Sequence, residues 1–245
     1  MNKRKKSTIQ FFYNGKFASE IYGKRSVYLN LDPAHYHQKI LAIIKEESKD
    51  RRIKILDVGC ATGYLGFAAK MGKNYVCGIE ISVTAAEEAK KVLDEVVVGN
   101  VEEITLPWPR DYFDIIVCSD ILEHLFDPKS TLIKLREYLK PEGKLLVVVP
   151  NVAYYAVRLM LLRGKWEYQS HGILDYGHIR WFTKETARKL LMESGFTIVD
   201  VIPWIILPLP LRILDRKLCM FLSKIFGKFL DTWFARSFLF IAVKK

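Results

Sequence analysis

The sequence predicts a doubly wound α/β fold. Apolar segments of strand length alternate along the chain with stretches of helical periodicity, and the first strand runs into a glycine-rich turn. Strands this apolar are buried on both faces, which requires a parallel sheet with helices on either side. The 245 residues are sufficient for one domain of this kind with a full core.

Seven segments are predicted as strands and five as helices. The strand segments are residues 53–59, 75–81, 95–101, 113–119, 144–150, 197–203 and 238–244. The helical segments are residues 37–49, 63–72, 82–93, 131–143 and 183–196, and Ser82 and Thr183 are the expected N-caps of the third and the last. Residues 1–35 show no regular period and are interpreted as an N-terminal lid on a domain formed by residues 36–245.

Residues 204–237 are predicted to form an apolar and basic helical insert before the last strand. From residue 215 onwards the apolar side chains follow one helical stripe, and Lys217, Lys224 and Lys228 lie off it. This pattern is typical of helices that lie in a membrane interface, although a helix packed on its own domain or on a dimer partner would show it too. No segment is a clean membrane span, because residues 201–214 are too short and carry three prolines.

The net charge of +11 indicates an anionic partner, which could be nucleic acid, a phosphorylated substrate or an acidic membrane surface. No RNA-recognition motif is present, so we expect no nucleic-acid partner. The four cysteines form no C-x-x-C pair and are interpreted as reduced thiols of a cytosolic protein. The basic N-terminus lacks the apolar run of a signal peptide.

The glycine-rich turn lies in the sequence LDVGCATGYLG, residues 56–66, and could hold a nucleotide-like cofactor. The G-x-x-x-x-G-K pattern of a phosphate-binding loop is absent. A dinucleotide turn needs glycines where this chain has Ala61 and Tyr64, so a pyrophosphate is disfavoured. S-adenosylmethionine has no phosphate, and its ribose needs an acidic acceptor, which Glu80 can provide from the end of the second strand.

Two further strand ends offer polar side chains to the same ligand. Asp57 can orient the loop through backbone N–H groups or reach the ligand amine through water, and Asn100 can meet the adenine amino group. Open α/β sheets bind ligands at the carboxyl ends of their strands, where these residues lie.

The motifs LDVGCATG, GIEIS, GNVEEI, FDIIVCSDILEHLFDP and LKPEGKLLVVVPN resemble, in this order, those of class I S-adenosylmethionine-dependent methyltransferases. The segment HIRWFTKETARKLLMESGF resembles the branch of ubiquinone-type and polysaccharide-cluster enzymes. The resemblance covers about residues 36–203 and the last strand, and it implies a Rossmann-like fold of seven strands with the last antiparallel. It departs from the family where Ala61 replaces a frequent glycine and where Asn100 replaces a more usual aspartate.

The resemblance implies S-adenosyl-L-methionine as the cofactor. The cofactor-binding residues that it implies are Asp57, Gly59, Cys60, Ala61, Gly63, Glu80, Ile81, Asn100, Val101 and Ser119.

Methyl transfer to oxygen needs a general base or a metal ion. The candidate bases are His124, which follows the fourth strand, and His178, in the polar and aromatic segment 151–182. In related ubiquinone-type enzymes a Glu-x-x-Glu-His run can hold a divalent cation. This chain has Asp120, Glu123 and His124 in that run, and we expect no metal site.

Other side chains are candidates for contact with the acceptor or the cofactor. Trp166, Tyr168 and Trp181 could form a wall for a sugar or an aromatic ring, and Arg180 could bind an anionic group. Arg25 in the lid could pair with the methionine carboxylate.

The sequence therefore predicts a cytoplasmic methyltransferase, peripheral at the inner membrane face, that O-methylates a glycan or a lipid-linked intermediate. A quinone or another small aromatic acceptor is the first alternative. A cofactor-binding module without transferase activity is the second.

Overall fold

The computed structural model describes residues 29–206 and 231–245. Seven strands form one sheet in the order β3-β2-β1-β4-β5-β7-β6. The strands are β1 (Lys54–Val58), β2 (Tyr75–Glu80), β3 (Glu95–Val98), β4 (Phe113–Ser119), β5 (Leu139–Pro150), β6 (Phe196–Ile205) and β7 (Ala235–Lys244). Strand β7 runs antiparallel to both of its neighbours, and β1 to β5 are mutually parallel, as the sequence and its resemblance predicted.

Six helices of the described residues cover the sheet. They are α1 (Tyr36–Glu47), α2 (Tyr64–Lys70), α3 (Val83–Ala89), α4 (Pro128–Tyr138), α5 (Tyr155–Leu162) and α6 (Lys184–Glu193), and a 3-10 turn spans Leu122–His124. Strand side chains alternate between two buried clusters, because successive residues of a strand point to opposite faces. Ile40 of α1 and Leu65 of α2 pack in one cluster, and Leu132 of α4 and Leu191 of α6 pack in the other.

The prediction of a helix over residues 131–143 was wrong at its C-terminal end. Helix α4 ends at Tyr138, and the chain already belongs to β5 from Leu139, which pairs with Phe113. Pro141 explains the difference, since its ring would clash with the carbonyl one turn earlier in a continued helix. Helix α5 lies in a segment for which the sequence predicted no element.

The predicted insert is shorter than residues 204–237. Strand β6 continues through Ile205, and β7 begins at Ala235. Residues 231–234 are helical, and the remainder of the predicted amphipathic stripe lies outside the described residues. Within residues 29–206 and 231–245, no helix has the length and apolar composition needed to cross a bilayer.

The order of the strands places a crevice at their carboxyl ends. The connection after β1 leads outward to β2 and β3, whereas β4 leads to β5 on the other side. Ligands bind at this switch point in open α/β sheets, and the turns after β1, β2 and β4 all reach it. Cys60, Cys77 and Cys118 are buried free thiols, as expected of reduced cysteines.

Candidate functional site

The turn after β1 requires glycine at two positions. Gly59 and Gly63 have φ angles of +75° and +81°, which lie in the left-handed region that favours glycine. A Cβ on Gly59 would lie 2.9 Å from Cδ1 of Ile121, and one on Gly63 would lie 2.9 Å from Cγ2 of Val92. The turn therefore brings its backbone so close to the neighbouring elements that a side chain at either position would clash.

Ala61 adopts a left-handed backbone conformation that is more usual for glycine. Its φ is +47°, which is a strained value for a residue with a Cβ. The N–H of Ala61 donates to Oε2 of Glu80 over 2.9 Å, and this bond ties the turn to the end of β2. Alanine at the position where the family often has glycine is thus compatible with a turn that bonds to Glu80.

Glu80 is buried and directed at the turn. Its Oε1 accepts the backbone N–H of Ser82 at 2.8 Å, and burial raises its pKa while the N–H groups of Ser82, Ala61 and Ile81 lower it. A carboxylate oxygen has two lone pairs, so each oxygen of Glu80 can still accept a bond from a ligand hydroxyl. Two adjacent hydroxyls, as in a ribose, match this arrangement.

Asp57 is a buried carboxylate next to the glycine turn. Burial, and then the charge of Glu80, raises its pKa to about 7, while the backbone N–H of Gly66 opposes that shift. Cys60 contributes its backbone, since its N–H donates to the carbonyl of Ile79 and its side chain is buried in the core. The structure thus places Asp57 and Cys60 as supports of the glycine turn.

Asn100 and Val101 lie at the end of β3, as expected, but both engage the protein. Oδ1 of Asn100 accepts the N–H of Glu102 at 3.0 Å, and its Nδ2 lies 3.5 Å from Oε1 of Glu103. Val101 is buried in the core. Asn100 therefore organises its own turn, and only the second lone pair of its Oδ1 can meet an adenine amino group.

Ser119 ends β4 beside Asp120, the first carboxylate of the run that the sequence analysis compared with a metal-binding motif. Its Oγ donates to Oδ2 of Asp120 over 3.2 Å, and the hydroxyl of Tyr36 donates to the same oxygen over 2.7 Å. Asp120 has a left-handed φ of +52°, and burial raises its pKa. The contact with Tyr36 joins the start of α1 to the end of β4 across 84 residues, and no local pattern in the sequence signals it.

Glu123 is the most unusual group of the site. It is fully buried, and within the described part of the chain neither of its carboxylate oxygens has a hydrogen-bond partner. Burial, and then the charge of Asp120, raises its pKa well above the ordinary value. Its Oε1 lies 3.8 Å from Nε2 of His178, and its carbonyl accepts the N–H groups of Ile179 and Arg180.

Both candidate bases are held by backbone carbonyls. Nδ1 of His178 lies 2.9 Å from the carbonyl of Ile173, and Nδ1 of His124 lies 2.9 Å from that of Gly177. A carbonyl accepts only, so each Nδ1 carries the proton and each Nε2 is the basic nitrogen. The two rings meet edge to face with centroids 4.8 Å apart, and burial lowers the pKa of His124 to about 4.

Glu123, His124 and His178 form a group that could hold a metal ion. One ligand atom from each side chain lies within 4.8 Å of the other two. Metal-binding histidines usually donate their second ring N–H to a carbonyl or carboxylate, as both imidazoles do here. The orphaned carboxylate of Glu123 is the buried acceptor that a cation would satisfy, so these residues fit a divalent cation.

An aromatic-walled cavity opens beside His178. It has a volume of about 410 Å³ and is lined by Tyr168, Tyr176, His178, Ile179 and Trp181. Its size suits a small ligand. Trp181 offers a buried indole N–H that has no hydrogen-bond partner among the described residues. Of the three aromatic residues considered as an acceptor wall, Tyr168 and Trp181 line the cavity, and Trp166 packs against Trp181 with ring centroids 5.5 Å apart.

Arg180, one of the two cationic side chains that the sequence singled out, does not line this cavity. The guanidinium of Arg180 donates to the carbonyl of Phe126 over 2.6 Å. Arg25 lies outside the described residues.

The profile of the family described as "Methyltransferase domain" matches residues 27–201. The chain belongs to this family. Its glycine turn, the acidic residue at the end of β2 and its fold are those of the class I S-adenosylmethionine-dependent methyltransferases, whose cofactor is S-adenosylmethionine.

Several known members are similar to this chain. The mitochondrial ubiquinone biosynthesis O-methyltransferase of Schizosaccharomyces pombe is 38% identical over 104 residues, which are 38% of this chain and 36% of that protein. That of Coxiella burnetii is 29% identical over 174 residues, or 67% of this chain and 72% of the relative. The magnesium protoporphyrin IX methyltransferase of Synechocystis PCC 6803, solved with bound SAH, superposes with a TM-score of 0.65 at 14% identity and covers 98% of this chain and all of its own.

The chain spans between about a third and a half of the length of the first curated relatives that it matches. The similarity to the solved structure is at a low identity and bears on the fold.

Proposed function

We propose that this chain O-methylates a hydroxyl of a glycan or a lipid-linked intermediate, with S-adenosylmethionine as the methyl donor. The observation that carries the proposal is the position of His178. Its basic nitrogen faces the buried carboxyl of Glu123 beside an aromatic-walled cavity. Glu123 follows β4 directly, at the carboxyl end of the sheet where the glycine turn also lies.

In this proposal the cofactor lies against the turn formed by Gly59, Ala61 and Gly63, and its ribose hydroxyls donate to Glu80. The backbone bonds from Ala61 and Ser82 hold that carboxylate in place, so it does not need to reorganise on binding. S-adenosylmethionine supplies an electrophilic methyl group on a positively charged sulfur. Ile81, Asn100, Val101 and Ser119 complete the proposed cradle at the ends of β2, β3 and β4.

His178 is the proposed general base. Its Nε2 accepts the proton of the acceptor hydroxyl, while the carbonyl of Ile173 holds the ring through Nδ1. The carboxyl of Glu123 then faces the protonated imidazole and stabilises it. His124, whose pKa burial keeps low, packs its ring against His178 and is proposed to orient it.

A divalent cation is a second candidate for activating the hydroxyl, because the buried carboxylate of Glu123 has no hydrogen-bond partner among the described residues and lies close to both imidazoles. Glu123, His124 and His178 would hold the ion, which would lower the pKa of a bound hydroxyl. Titration calorimetry of the metal-stripped protein with Mg²⁺, Mn²⁺ or Zn²⁺ tests it. Binding that is lost in Glu123→Gln supports a metal role, and the absence of any heat would leave His178 as the sole base.

An aromatic acceptor such as a quinone is the alternative substrate. The names of the curated relatives favour it, and so do the aromatic walls of the cavity. A non-catalytic cofactor-binding module is the remaining alternative.

The proposal includes a lid and a membrane location. His35 and Tyr36, at the start of α1, pack against Trp204, so the chain enters the domain beside the proposed site. Residues 1–35 are proposed to cover the cofactor from there. The basic insert is proposed to hold the protein at the inner face of the membrane.

Calorimetric titration with S-adenosylmethionine, followed by a methyl-transfer assay on cell extracts separated into glycan, lipid and quinone fractions, tests the proposal. We expect micromolar binding and transfer to the glycan or lipid fraction. Transfer to the quinone fraction alone would show that the acceptor is a quinone. Binding of the cofactor without transfer to any fraction would favour the non-catalytic module.

A further inference from the structure

Helix α5 ends in an exposed apolar turn. All residues from 161 to 170 are exposed, and the first two are leucines with 50% and 80% of their surfaces in solvent. Trp166 and Tyr168 follow, exposed by 36% and 45%. We call residues 161–168, with the sequence LLRGKWEY, the α5 turn.

The α5 turn is held in a fixed shape. The N–H groups of Arg163 and Lys165 both donate to the carbonyl of Met160. The ring of Trp166 contacts that of Trp181, and Tyr168 stacks on Tyr176 with centroids 6.2 Å apart. The leucines are therefore presented outward by an ordered backbone, so burying them in a partner would cost little conformational entropy.

The charges around the α5 turn are mainly positive. Arg163 and Lys165 lie between the leucines and Trp166, and Glu167 is the only acidic residue of the turn. The ammonium of Lys165 lies 3.5 Å from the carboxylate of Glu167, and Arg158 packs its guanidinium over the ring of Trp233. Leucine, tryptophan and tyrosine beside lysine and arginine are the side chains that suit the boundary of an anionic bilayer.

We infer that the α5 turn docks on the surface of an anionic lipid bilayer, with Leu161 and Leu162 inserted below the headgroups. An exposed apolar cluster of this kind marks an interaction surface, and the adjacent cations favour anionic lipid over an apolar protein face.

Docking at the α5 turn also orients the proposed active site. Tyr168 belongs both to the turn and to the wall of the cavity, and His178 lines that cavity. A bound bilayer therefore lies at the mouth of the cavity. This last step rests on the proposed function, because it makes the acceptor a molecule anchored in lipid, whereas the docking itself does not depend on methyl transfer.

Vesicle sedimentation of the full chain tests the docking. The variants Leu161→Ser/Leu162→Ser and Arg163→Gln/Lys165→Gln alter the turn without touching the core. With vesicles of phosphatidylglycerol and phosphatidylcholine, the loss of two inserted leucines should lower the partition coefficient of the wild type by roughly tenfold or more. The charge variant should bind several-fold more weakly, and added salt should erase its difference from the wild type.

Matched controls remove side chains of the same kinds from other surfaces. Met192→Ser/Val199→Ser replaces two apolar side chains that are 56% and 61% exposed. Lys90→Gln/Lys91→Gln removes two exposed cations. Both should bind vesicles as the wild type does. The change of Lys217, Lys224 and Lys228 to Glu measures the separate contribution of the basic insert.

Unchanged binding by Leu161→Ser/Leu162→Ser would overturn the inference. So would a folded wild type that binds S-adenosylmethionine but no vesicles, and that result would leave the proposed cofactor site intact. If the wild type is a dimer in light scattering, does not sediment with vesicles and becomes monomeric in the leucine variant, the turn is a contact between two copies and the inference is wrong.

Discussion

The two halves of the candidate site are built in different ways. In the cofactor half, the glycine turn and Glu80 lie within about 20 residues of each other, and backbone N–H groups fix the carboxylate. In the acceptor half, Glu123 meets His178 across 55 positions of the chain, and the same carboxylate lacks a hydrogen-bond partner among the described residues. In the cofactor half, both oxygens of the carboxylate already accept hydrogen bonds from the protein. The second half holds polar groups that a substrate proton or a cation would satisfy.

The acceptor half should give the largest effect on turnover. Replacing His178 with Gln removes the proposed base and should lower kcat by roughly a hundredfold or more, whereas the affinity for S-adenosylmethionine should change less than twofold. His124→Gln should have a smaller effect, because in this proposal His124 orients His178 and does not take the proton itself.

His171→Gln is the matched control, since His171 is an exposed histidine of the same loop. Single-turnover methyl transfer measures all three variants. Equal losses of the methyl-transfer rate in His124→Gln and His178→Gln would indicate that both histidines act together as ligands. A fully active His178→Gln would show that His178 is not the base.

A second prediction concerns the fixed shape of the cofactor half. Gly59 and Gly72 share a φ of +75°, but a Cβ on Gly59 would meet Ile121 at 2.9 Å, whereas one on Gly72 would meet nothing within 4 Å. Alanine at Gly72 should cost about 1 kcal/mol of unfolding free energy from backbone strain alone. Alanine at Gly59 should lower the free energy of unfolding by about 2–3 kcal/mol and should also lower the affinity for the cofactor.

Urea unfolding compares the two alanine variants. Equal losses of stability would show that the close approach of Ile121 to the turn has no energetic consequence.

A smaller effect is expected from the histidines at the start of α1, which lie beside the acceptor half. Burial, and then the charge of His35, lowers the pKa of His37 from 6.5 to about 4. Its Nδ1 accepts the N–H of Asn30 over 3.1 Å, a bond that protonation would break. Because the unfolded chain binds this proton more readily, the stability contributed by neutral His37 is complete above about pH 6.5 and is lost as the pH falls towards 4.

His37→Gln should therefore lose less stability than the wild type between about pH 7.5 and pH 5, by at most about 2 kcal/mol. Asp57 acts in the opposite direction, but it is present in both proteins and cancels in the comparison. Urea midpoints at the two pH values measure the difference. Equal losses of stability in the wild type and in His37→Gln would show that His37 does not contribute to the acid sensitivity.

The contrast between the two halves also explains what the sequence could predict. The strands, the glycine turn and Glu80 follow from periodicity and from the rule that ligands meet strand ends, so they were predicted within a few residues. His178 was singled out by its residue type, but its pairing with Glu123 depends on how the loop after α5 folds back onto the end of β4. The contact between Tyr36 and Asp120 and the left-handed φ of Asp120 have no local signal.

Two side chains have surroundings that their residue types did not indicate. Asn100 was expected to face the ligand, but its side-chain oxygen organises the turn after β3, because a short amide competes for nearby backbone N–H groups. Glu123 and His124 are adjacent in the chain, and the 3-10 turn that holds them brings a ligand atom of each within 4.8 Å of one on His178.

The cofactor half is expected to bind S-adenosylmethionine through Glu80 on its own, independently of the acceptor half. Calorimetric titration of the wild type, Glu80→Ala and His178→Gln with S-adenosylmethionine tests it most directly. We predict at least a roughly tenfold weaker affinity for Glu80→Ala and an unchanged affinity for His178→Gln. Wild-type affinity in folded Glu80→Ala, or no binding by the wild type, would contradict the role of Glu80 in binding S-adenosylmethionine.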